Sequence, residues 1–481
     1  MDEEIIKNYI LKTIENTPHL VKNRIFKHGK ELNKRNDYYR IKKYIDKFLK
    51  EYSDDKFIIM PGLRGVGKTT ILYQLYNYLI TEHNIKYNQI LYLNLDRLKD
   101  KGNIDLQQYF DIFVKDINEE YYLDNKPLFI FLDETQLSTA WGIVGKIIYD
   151  ETINVFMIFT GSNALKLTND NDSRRRALIR EINPINFSEY LTLKHFQKFP
   201  DNLQEMLIQL LLQGNIIEMK KFEKEVQYNQ FIELKYSVKK EWEKYIQTGG
   251  FPLTLQSDLI EANERTLDAK DLIIEKDLPQ ITSITSKTIE KAYPLLDIIA
   301  LQKPGTLSED KLSNKLDISK TSVRQLLKAL TQSLIIFQIE EYGSPSKRNK
   351  KSKEYYYWST QMKSAIFQND GGSTTRSVNE INGILLENYV AYSLYRLKIE
   401  NNYKFNIHFD SRVGGVDFLI KTLTGKIIPI EVGIGKKNKR QIISAINYYK
   451  SEYGIVISNS TSQITQDGKI IYVPYITFTL F

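Results

Sequence analysis

The chain has 481 residues, which a prior of about 150 residues per domain divides into about three domains. Its hydrophobic content of 42% and charged content of 26% are those of a globular protein and exclude both a disordered and a membrane-embedded chain. A formal net charge of +8 favours an anionic partner, nucleic acid before membrane, and the lack of cysteine excludes disulfides, thiolate metal sites and a cysteine nucleophile.

The amino terminus is acidic where a signal peptide is basic, and no apolar run approaches the roughly 18 to 20 residues of a membrane span. With the absence of cysteine, this predicts a cytoplasmic protein without a membrane partner. Residues 1–52 have apolar residues at helical spacing, interrupted by a basic stretch. They predict a helical segment packed on the domain that follows.

Short apolar runs alternate with helical patterns between residues 53 and 190. The runs at 57–60, 90–95, 128–132 and 155–159 have the length of buried strands. Buried strands separated by helices are typical of a parallel sheet covered on both faces. This region therefore predicts an α/β fold.

The remaining chain predicts three further regions. Residues 191–284 lack strand patterns and predict a helical lid that carries a charged insertion. Residues 285–368 predict helices followed by a hairpin, and residues 379–481 return to mixed helix and strand.

A Gly-rich turn between the first strand and its helix matches the pattern G-x-x-x-x-G-K-[ST]. Its glycines let backbone N–H groups surround phosphate oxygens, Lys68 reaches the β and γ phosphates, and the Thr69 hydroxyl is a magnesium ligand. A chance loop is the alternative, which the strand and helix on either side disfavour. The predicted residues binding ATP with Mg²⁺ are Gly62, Leu63, Arg64, Gly65, Val66, Gly67, Lys68, Thr69 and Thr70.

Two acidic residues follow the apolar strand at 128–132. Asp133 is predicted to hold the magnesium ion through water, and Glu134 to polarise the attacking water as general base. Acids at a strand end also occur as structural caps. The phosphate loop upstream makes the catalytic interpretation the stronger one.

Polar and basic residues follow the next strand. Ser162 or Asn163 is predicted to reach the γ-phosphate or its water, although either residue could cap a helix. Arg176, which ends a run of three arginines, is predicted to act as an arginine finger on a neighbouring subunit of a homo-oligomer. A solvated basic turn or a nucleic-acid contact explains the same arginines equally well.

Residues 307–330 have the spacing of two short helices joined by a tight turn, the helix-turn-helix pattern. The second helix offers polar and basic side chains to solvent or DNA, namely Thr321, Ser322, Arg324, Gln325 and Lys328. The hairpin that follows has a strongly basic tip at 347–353, which suits a DNA backbone. The alternative is a winged helix that serves as an internal packing module with a merely soluble tip.

Taken together, these motifs resemble a family of bacterial and archaeal AAA+ type ATP-binding proteins. Family members have a P-loop domain, a helical lid, a winged helix and a carboxy-terminal domain similar to PD-(D/E)XK nucleases. The likeness covers most of the chain from about residue 40, with an apparent insertion at about 195–240. It is carried by residues 62–69, Asp133, Glu134, Gln136, Trp141, 160–163, 184–190, 249–252, 383–388, 416–418 and 430–432.

The resemblance implies a restriction-endonuclease-like domain at 379–481 and a nuclease site within it. Asp417 and Glu431 match the two acids of that motif, with Glu387 as an additional ligand. The lysine position, however, is occupied by Gly433. Lys436 or Lys437 would have to reach back to the site, and Gln441 could add a polar contact. Two functions stay open. Either ATP turnover licenses cleavage of nucleic acid by this domain, or ATP drives a regulatory or defence-type switch and the domain only binds DNA or a protein partner.

Overall fold

The structure is a computed structural model that divides into two compact units, Met1–Asn183 and Pro184–Phe481. It describes residues 3–98, 105–161, 175–225, 237–282, 284–301, 308–343, 353–369, 377–400, 404–435 and 439–481.

The first unit is built on a parallel sheet, and four of its strands lie at the apolar runs named above. A short hairpin of β1 (Phe26–Lys27) and β2 (Lys30–Glu31) precedes that sheet. The sheet strands are β3 (Phe57–Pro61), β4 (Ile90–Asn94), β5 (Leu128–Asp133), β6 (Val155–Gly161) and β7 (Leu178–Ile179), in the order β4-β5-β6-β3-β7. All neighbouring pairs in it are parallel.

Helices of the first unit cover this sheet, as the buried strands require. Ile6, Ile10 and Ile14 recur every four residues on the first helix and belong to the same buried core as Phe57. The first helix is therefore packed on the sheet of its own unit. The helices are α1 (Glu3–Ile25), α2 (Asn36–Glu51), α3 (Lys68–His83), α4 (Leu106–Asp111), continued by a π-helical turn (Ile112–Ile117), α5 (Glu119–Leu123) and α6 (Trp141–Glu151).

The second unit begins with helices. They are α7 (Phe187–His195), α8 (Leu203–Gln213), α9 (Ile217–Glu225), α10 (Val238–Thr248), α11 (Leu259–Leu272), α12 (Leu278–Ile281), α13 (Ser286–Glu290), α14 (Ala292–Leu301), α15 (Glu309–Leu316), α16 (Lys320–Gln332), α17 (Thr360–Asn369), α18 (Val378–Glu400), α19 (Lys439–Tyr449) and α20 (Tyr475–Thr479).

An eight-stranded sheet, counted over the described residues, joins the hairpin to the carboxy-terminal strands. Its strands are β8 (Ile336–Glu341), β9 (Lys353–Tyr357), β10 (Phe405–Phe409), β11 (Phe418–Thr422), β12 (Ile427–Gly433), β13 (Gly454–Ser458), β14 (Thr465–Asp467) and β15 (Ile470–Pro474). Their order is β14-β15-β13-β12-β11-β10-β8-β9. Because β8 pairs in parallel with β10, the hairpin shares a sheet with the region predicted as a separate domain from residue 379.

The helices α9 and α8 are tied to the carboxy-terminal strands of the same unit. Glu223, buried on α9, accepts hydrogen bonds from the Ile464 N–H and the Thr477 hydroxyl, both at 2.8 Å. The Tyr453 hydroxyl donates to the carbonyl of Leu211 on α8 at 3.1 Å. The segment predicted as a lid insertion is therefore packed on the strands, and its finer division into domains stays a prediction.

Within the part of the chain that the structure describes, no helix is long and apolar enough to cross a membrane.

Candidate functional site

The phosphate loop lies between β3 and α3, and its glycines are needed for two different reasons. Gly65 and Gly67 have φ angles of +83° and +92°, the left-handed region that side chains disfavour. At Gly62 the constraint is space, because a Cβ there would lie 2.3 Å from the carbonyl oxygen of Ile182. The loop geometry therefore fits the predicted phosphate-binding turn.

Lys68 is the first residue of α3 and its side chain is buried. Its Nζ donates hydrogen bonds of 2.9 Å to the carbonyl oxygens of Gly62 and Leu63. The ammonium group is thus folded over the loop, at the amino-terminal end of a helix. A cation and free helix N–H groups at one place favour a bound phosphate.

Asp133 ends β5 and receives hydrogen bonds from several directions. Its Oδ2 accepts from the Thr69 hydroxyl at 2.8 Å, the Tyr92 hydroxyl at 3.2 Å and the Asn94 amide at 3.3 Å. Its Oδ1 accepts from the Thr160 hydroxyl and from the Glu134 N–H. The predicted pair Thr69 and Asp133 is therefore in direct contact.

The strand order explains this convergence. β6 lies between β3, which leads into the phosphate loop, and β5, which ends at Asp133. Since the strands are parallel, their carboxyl ends meet at one edge of the sheet, where ligands of open α/β sheets bind. Thr160, near the end of β6, thus reaches Asp133.

Glu134 follows Asp133 in a left-handed conformation with φ +58°, which is uncommon for a residue other than glycine. The Gln136 amide donates to Glu134 Oε2 at 2.5 Å. A constrained backbone and a hydrogen-bonded carboxylate restrict where this side chain points. Both features suit a residue that must be oriented towards a water molecule.

The donor set at this edge fits ATP with Mg²⁺. The hydroxyl of Thr69 and the carboxylate of Asp133 supply oxygen ligands, which Mg²⁺ prefers. Lys68 and the loop N–H groups supply positive charge and donors for phosphates.

Three further residues were predicted for the ATP site. Ser162 and Asn163 lie outside the described residues. Arg176 is described, and its Nε donates to Asp150 Oδ1 at 2.6 Å within the same unit. That hydrogen bond lowers the pKa of Asp150.

Tyr92 and Asn94 were not predicted as site residues. Asn94 ends the apolar strand next to β5 in the sheet, so a polar residue at that strand end was the available signal. Tyr92 gave no signal, because an aromatic residue within an apolar strand is ordinary core.

The predicted nuclease acids lie close together in the second unit. The Val432 N–H donates to Asp417 Oδ2 at 2.6 Å, which places Asp417 beside the strand that carries Glu431. The carboxylates of Asp417 and Glu387 are close enough for each to disfavour the charge of the other. Gln441 instead donates to the carbonyl of Gly415, and Lys436 lies outside the described residues.

A further carboxylate, which was not predicted, joins this cluster from the hairpin. The Tyr356 hydroxyl lies 2.9 Å from Glu354 Oε2 and 3.2 Å from Glu387 Oε1, although it has only one proton to donate. Burial raises the pKa of Glu354 to about 7 and, together with the charges of Asp417 and Glu354, raises the pKa of Glu387 well above its usual range. We call Glu354, Glu387, Asp417 and Glu431 the acid cluster.

The acid cluster does not fit the metal site of a nuclease. In the described chain, no three His, Asp or Glu side chains are arranged to hold a metal ion. Gly433, at the expected lysine position, ends β12 and has no side chain to offer. The buried Lys363 on α17 supplies a positive charge that partly offsets the raised pKa of Glu387.

The predicted helix-turn-helix corresponds to α15 and α16. Thr321, Gln325 and Lys328 on α16 are exposed. Arg324, also exposed, pairs with Glu309 on α15 at 2.6 Å, and Lys320 pairs with Asp310.

The basic tip of the hairpin is outside the described residues except for Lys353. The Nζ of Lys353 donates to Gln338 Oε1 across the hairpin at 3.1 Å.

Comparison with protein families matches an AAA domain at residues 54–191. It also matches two domains of unknown function, at residues 239–370 and 382–478.

Two relatives come from the archaeon Methanocaldococcus jannaschii. Uncharacterized protein MJ1637 is 32% identical over 479 residues, which cover 99% of this chain and 94% of the relative. Uncharacterized protein MJ1544 is 24% identical over 424 residues, covering 85% of this chain and 82% of the relative.

Among solved structures, the Walker-type ATPase PABY2304 of Pyrococcus abyssi is 15% identical with a TM-score of 0.40, covering 71% of this chain and 97% of that one. The ADP form of the Aeropyrum pernix ORC2 protein is 10% identical with a TM-score of 0.35, covering 74% of this chain and 99% of that one. Scores this low establish neither fold nor function.

Proposed function

This chain belongs to the same family as Uncharacterized protein MJ1637 of Methanocaldococcus jannaschii, and on that premise we propose that it is a Mg²⁺-dependent ATPase of the AAA+ type, active in the cytoplasm. The observation that carries the proposal is the contact of Thr69 with Asp133 beside the buried Lys68.

Each group at this edge of the sheet has a distinct role. Lys68 releases the carbonyls of Gly62 and Leu63 and binds the β and γ phosphates instead. The glycine-rich loop offers its N–H groups to the same phosphates. Thr69 and Asp133 hold Mg²⁺, which when bound neutralises charge on the phosphate oxygens.

Glu134 orients the attacking water and accepts its proton. Gln136, through its hydrogen bond to Glu134 Oε2, holds that carboxylate in place. Ser162 and Asn163 complete the proposal as contacts to the γ-phosphate or its water. Arg176 serves as a finger on a neighbouring copy in a homo-oligomer, which requires it to leave Asp150.

The second unit acts on DNA in this proposal. The exposed face of α16 and the basic tip after β8 contact DNA, and the nucleotide state of the first unit alters that contact. The carboxy-terminal domain binds without cleaving. Two observations support this. Glycine occupies position 433, where a nuclease has a lysine, and the acid cluster fits a metal ion poorly.

ATP hydrolysis tests the first half of the proposal. We expect Mg²⁺-dependent turnover by the wild type and at least about a 100-fold loss of kcat/KM in Lys68→Ala, because the phosphate charge loses its cation. The matched control is Lys328→Ala, an exposed lysine on α16, which should retain turnover in the absence of DNA. Equal turnover by wild type and Lys68→Ala would refute the proposed site.

A plasmid nicking assay tests the second half. With Mg²⁺ or Mn²⁺, ATP and supercoiled DNA, we expect binding but no nicks. Nicks that Asp417→Ala abolishes, while ATP hydrolysis continues, would replace the binding role with metal-dependent cleavage.

A further inference from the structure

A buried arginine that precedes the sheet in the chain donates a hydrogen bond to the backbone of the phosphate loop. Arg35, which precedes α2, is 4% exposed. One guanidinium nitrogen donates to the carbonyl oxygen of Val66 at 2.5 Å, and the other donates to the carbonyl oxygen of Asn183 at 2.9 Å. A single side chain therefore joins the phosphate loop to the last residue of the first unit.

A nearby carboxylate compensates the buried charge of Arg35. Asp37, also buried, lies 3.1 Å from the Arg35 guanidinium and 2.7 Å from that of Arg40. Arg40 in turn donates to the carbonyl oxygen of Glu181 at 2.8 Å. Burying a charge is costly unless it is paired and hydrogen-bonded, and all of these conditions are met here.

The segment 181–183, to which both arginines donate, lies against the start of the phosphate loop. The Ile182 N–H donates to the Pro61 carbonyl at 2.8 Å, and Ile182 forms a parallel bridge with Gly62. The backbone at the start of the phosphate loop and the backbone at the end of the first unit are thus in contact. Arg35 adds a second connection, at the far end of the loop.

The contact with Val66 also sets the direction of a phosphate-binding donor. In a planar trans peptide, the carbonyl of one residue and the N–H of the next point in opposite directions. Because Arg35 holds the Val66 carbonyl, the Gly67 N–H points away from Arg35. A rotation of this peptide would cost the hydrogen bonds to a buried guanidinium, so the N–H is fixed before any phosphate binds.

We propose that Arg35 is a positioning residue that presets the Gly67 N–H for phosphate and transmits occupancy of the loop to the segment 181–183. The inference rests on the proposed ATPase function. A phosphate that shifts the Val66–Gly67 peptide changes the Arg35 hydrogen bonds. The hydrogen bond from the same guanidinium to the Asn183 carbonyl then changes as well.

Nucleotide binding by Arg35→Gln and Arg35→Lys, with Mg²⁺ and a fluorescent ADP analogue, tests the positioning role. Loss of hydrogen bonds from a charged donor predicts about 10- to 100-fold weaker binding by Arg35→Gln. Arg35→Lys, which keeps the charge but lacks the two-pronged geometry, should be intermediate. Asp37 keeps Arg40 as a partner in both variants.

The matched control is Lys56→Gln. Lys56 is as buried as Arg35, lies in the same unit and donates to the backbone carbonyl of Thr152, away from the phosphate loop. Its loss should lower stability but leave nucleotide affinity within about twofold of wild type, as expected for an independent site. Equal affinity losses in Lys56→Gln and Arg35→Gln would reduce Arg35 to a structural role and overturn the proposal.

Hydrogen exchange of the peptide covering 180–183, with and without nucleotide, tests the transmission. In the wild type we expect nucleotide to change exchange of the Ile182 amide, and in Arg35→Gln at saturating nucleotide we expect that change to disappear. The inference about Arg35 would be overturned, and the proposed ATPase left standing, if the wild type bound nucleotide without this change or if the variant kept the change. A wild type that binds no nucleotide would instead overturn the proposed ATPase. Should Arg35→Gln fail to fold, Arg35→Lys provides the same comparison.

Discussion

Asp133 in the first unit and Glu387 in the second are both carboxylates largely surrounded by protein, but their neighbours differ in kind. Asp133 accepts hydrogen bonds from hydroxyl, amide and backbone donors. Glu387 shares one tyrosine hydroxyl with Glu354 and faces Asp417. Donors stabilise a charged carboxylate, whereas other carboxylates and burial destabilise it. An acidic cluster therefore does not by itself indicate a metal site.

The largest expected effect comes from neutralising each carboxylate without changing its shape. Asp133→Asn should lower ATP turnover by about 1,000-fold, equivalent to about 4 kcal/mol, because the magnesium ligand beside Thr69 is lost. Glu387→Gln should leave turnover within about twofold. Steady-state hydrolysis at saturating Mg²⁺ measures both. A comparable loss in the two variants would erase the distinction between the sites.

Glu241 extends the comparison to a third carboxylate with well-matched neighbours. Burial alone would raise its pKa, but hydrogen bonds from His195, Tyr190 and Lys244 outweigh burial and lower the pKa to about 2. Its stabilising contribution, about 3 kcal/mol in total, is present above about pH 4.5 and is lost as pH falls towards 2. Urea unfolding from pH 7 to pH 3 should show this loss in wild type and a weaker one in Glu241→Gln.

Glu354 should show the opposite pH dependence. Its pKa is raised to about 7, so its contribution is present below about pH 4.5 and is lost as pH rises through 7. Allowing for its partial exposure, we expect about 2 kcal/mol less stability at pH 8 than at pH 4.5 from this group. Glu354→Gln should lack that loss in the same urea series. Identical pH profiles of wild type and variant would show that burial does not raise the pKa of Glu354.

The smallest effect is expected where carboxylates are exposed. Glu309 and Asp310 pair with Arg324 and Lys320 on the proposed DNA-reading helix. Removing both acids frees two cations for phosphates, so Glu309→Gln/Asp310→Asn should bind duplex DNA several-fold more tightly, with a steeper salt dependence. The control exchanges Glu264, an exposed acid on α11, for Gln. Unchanged affinity and salt slope in the double variant would count against α16 as the DNA contact.

Local spacing was enough to predict the phosphate loop and the two acids of the proposed ATP site. The pattern from Gly62 to Thr69 determines a strand, a turn and a helix within a few residues, and the family match confirms an AAA domain there. Asn94 was within reach of the same reasoning, as a polar residue at the end of a neighbouring strand. Tyr92 was not, because its hydroxyl contacts Asp133 from within a core strand.

Contacts between distant parts of the chain were decided by the tertiary structure alone. The β8 hairpin joins the carboxy-terminal sheet through two parallel residue pairs with β10, and an apolar strand does not specify its partner. Glu354 meets Glu387 because α18 packs on β9, where Asn388 exchanges two hydrogen bonds with the backbone of Tyr357.

The sequence by itself predicted where a nucleotide would bind, because the glycine-rich loop, Lys68 and Thr69 lie within one short segment whose chemistry is local. Only the tertiary structure decided what holds that loop. Arg35 stood in the sequence as one of several basic residues, yet folding brings its side chain to the carbonyl of Asn183, 148 positions away. A backbone carbonyl leaves no trace in residue identity, so no sequence pattern could reveal this contact.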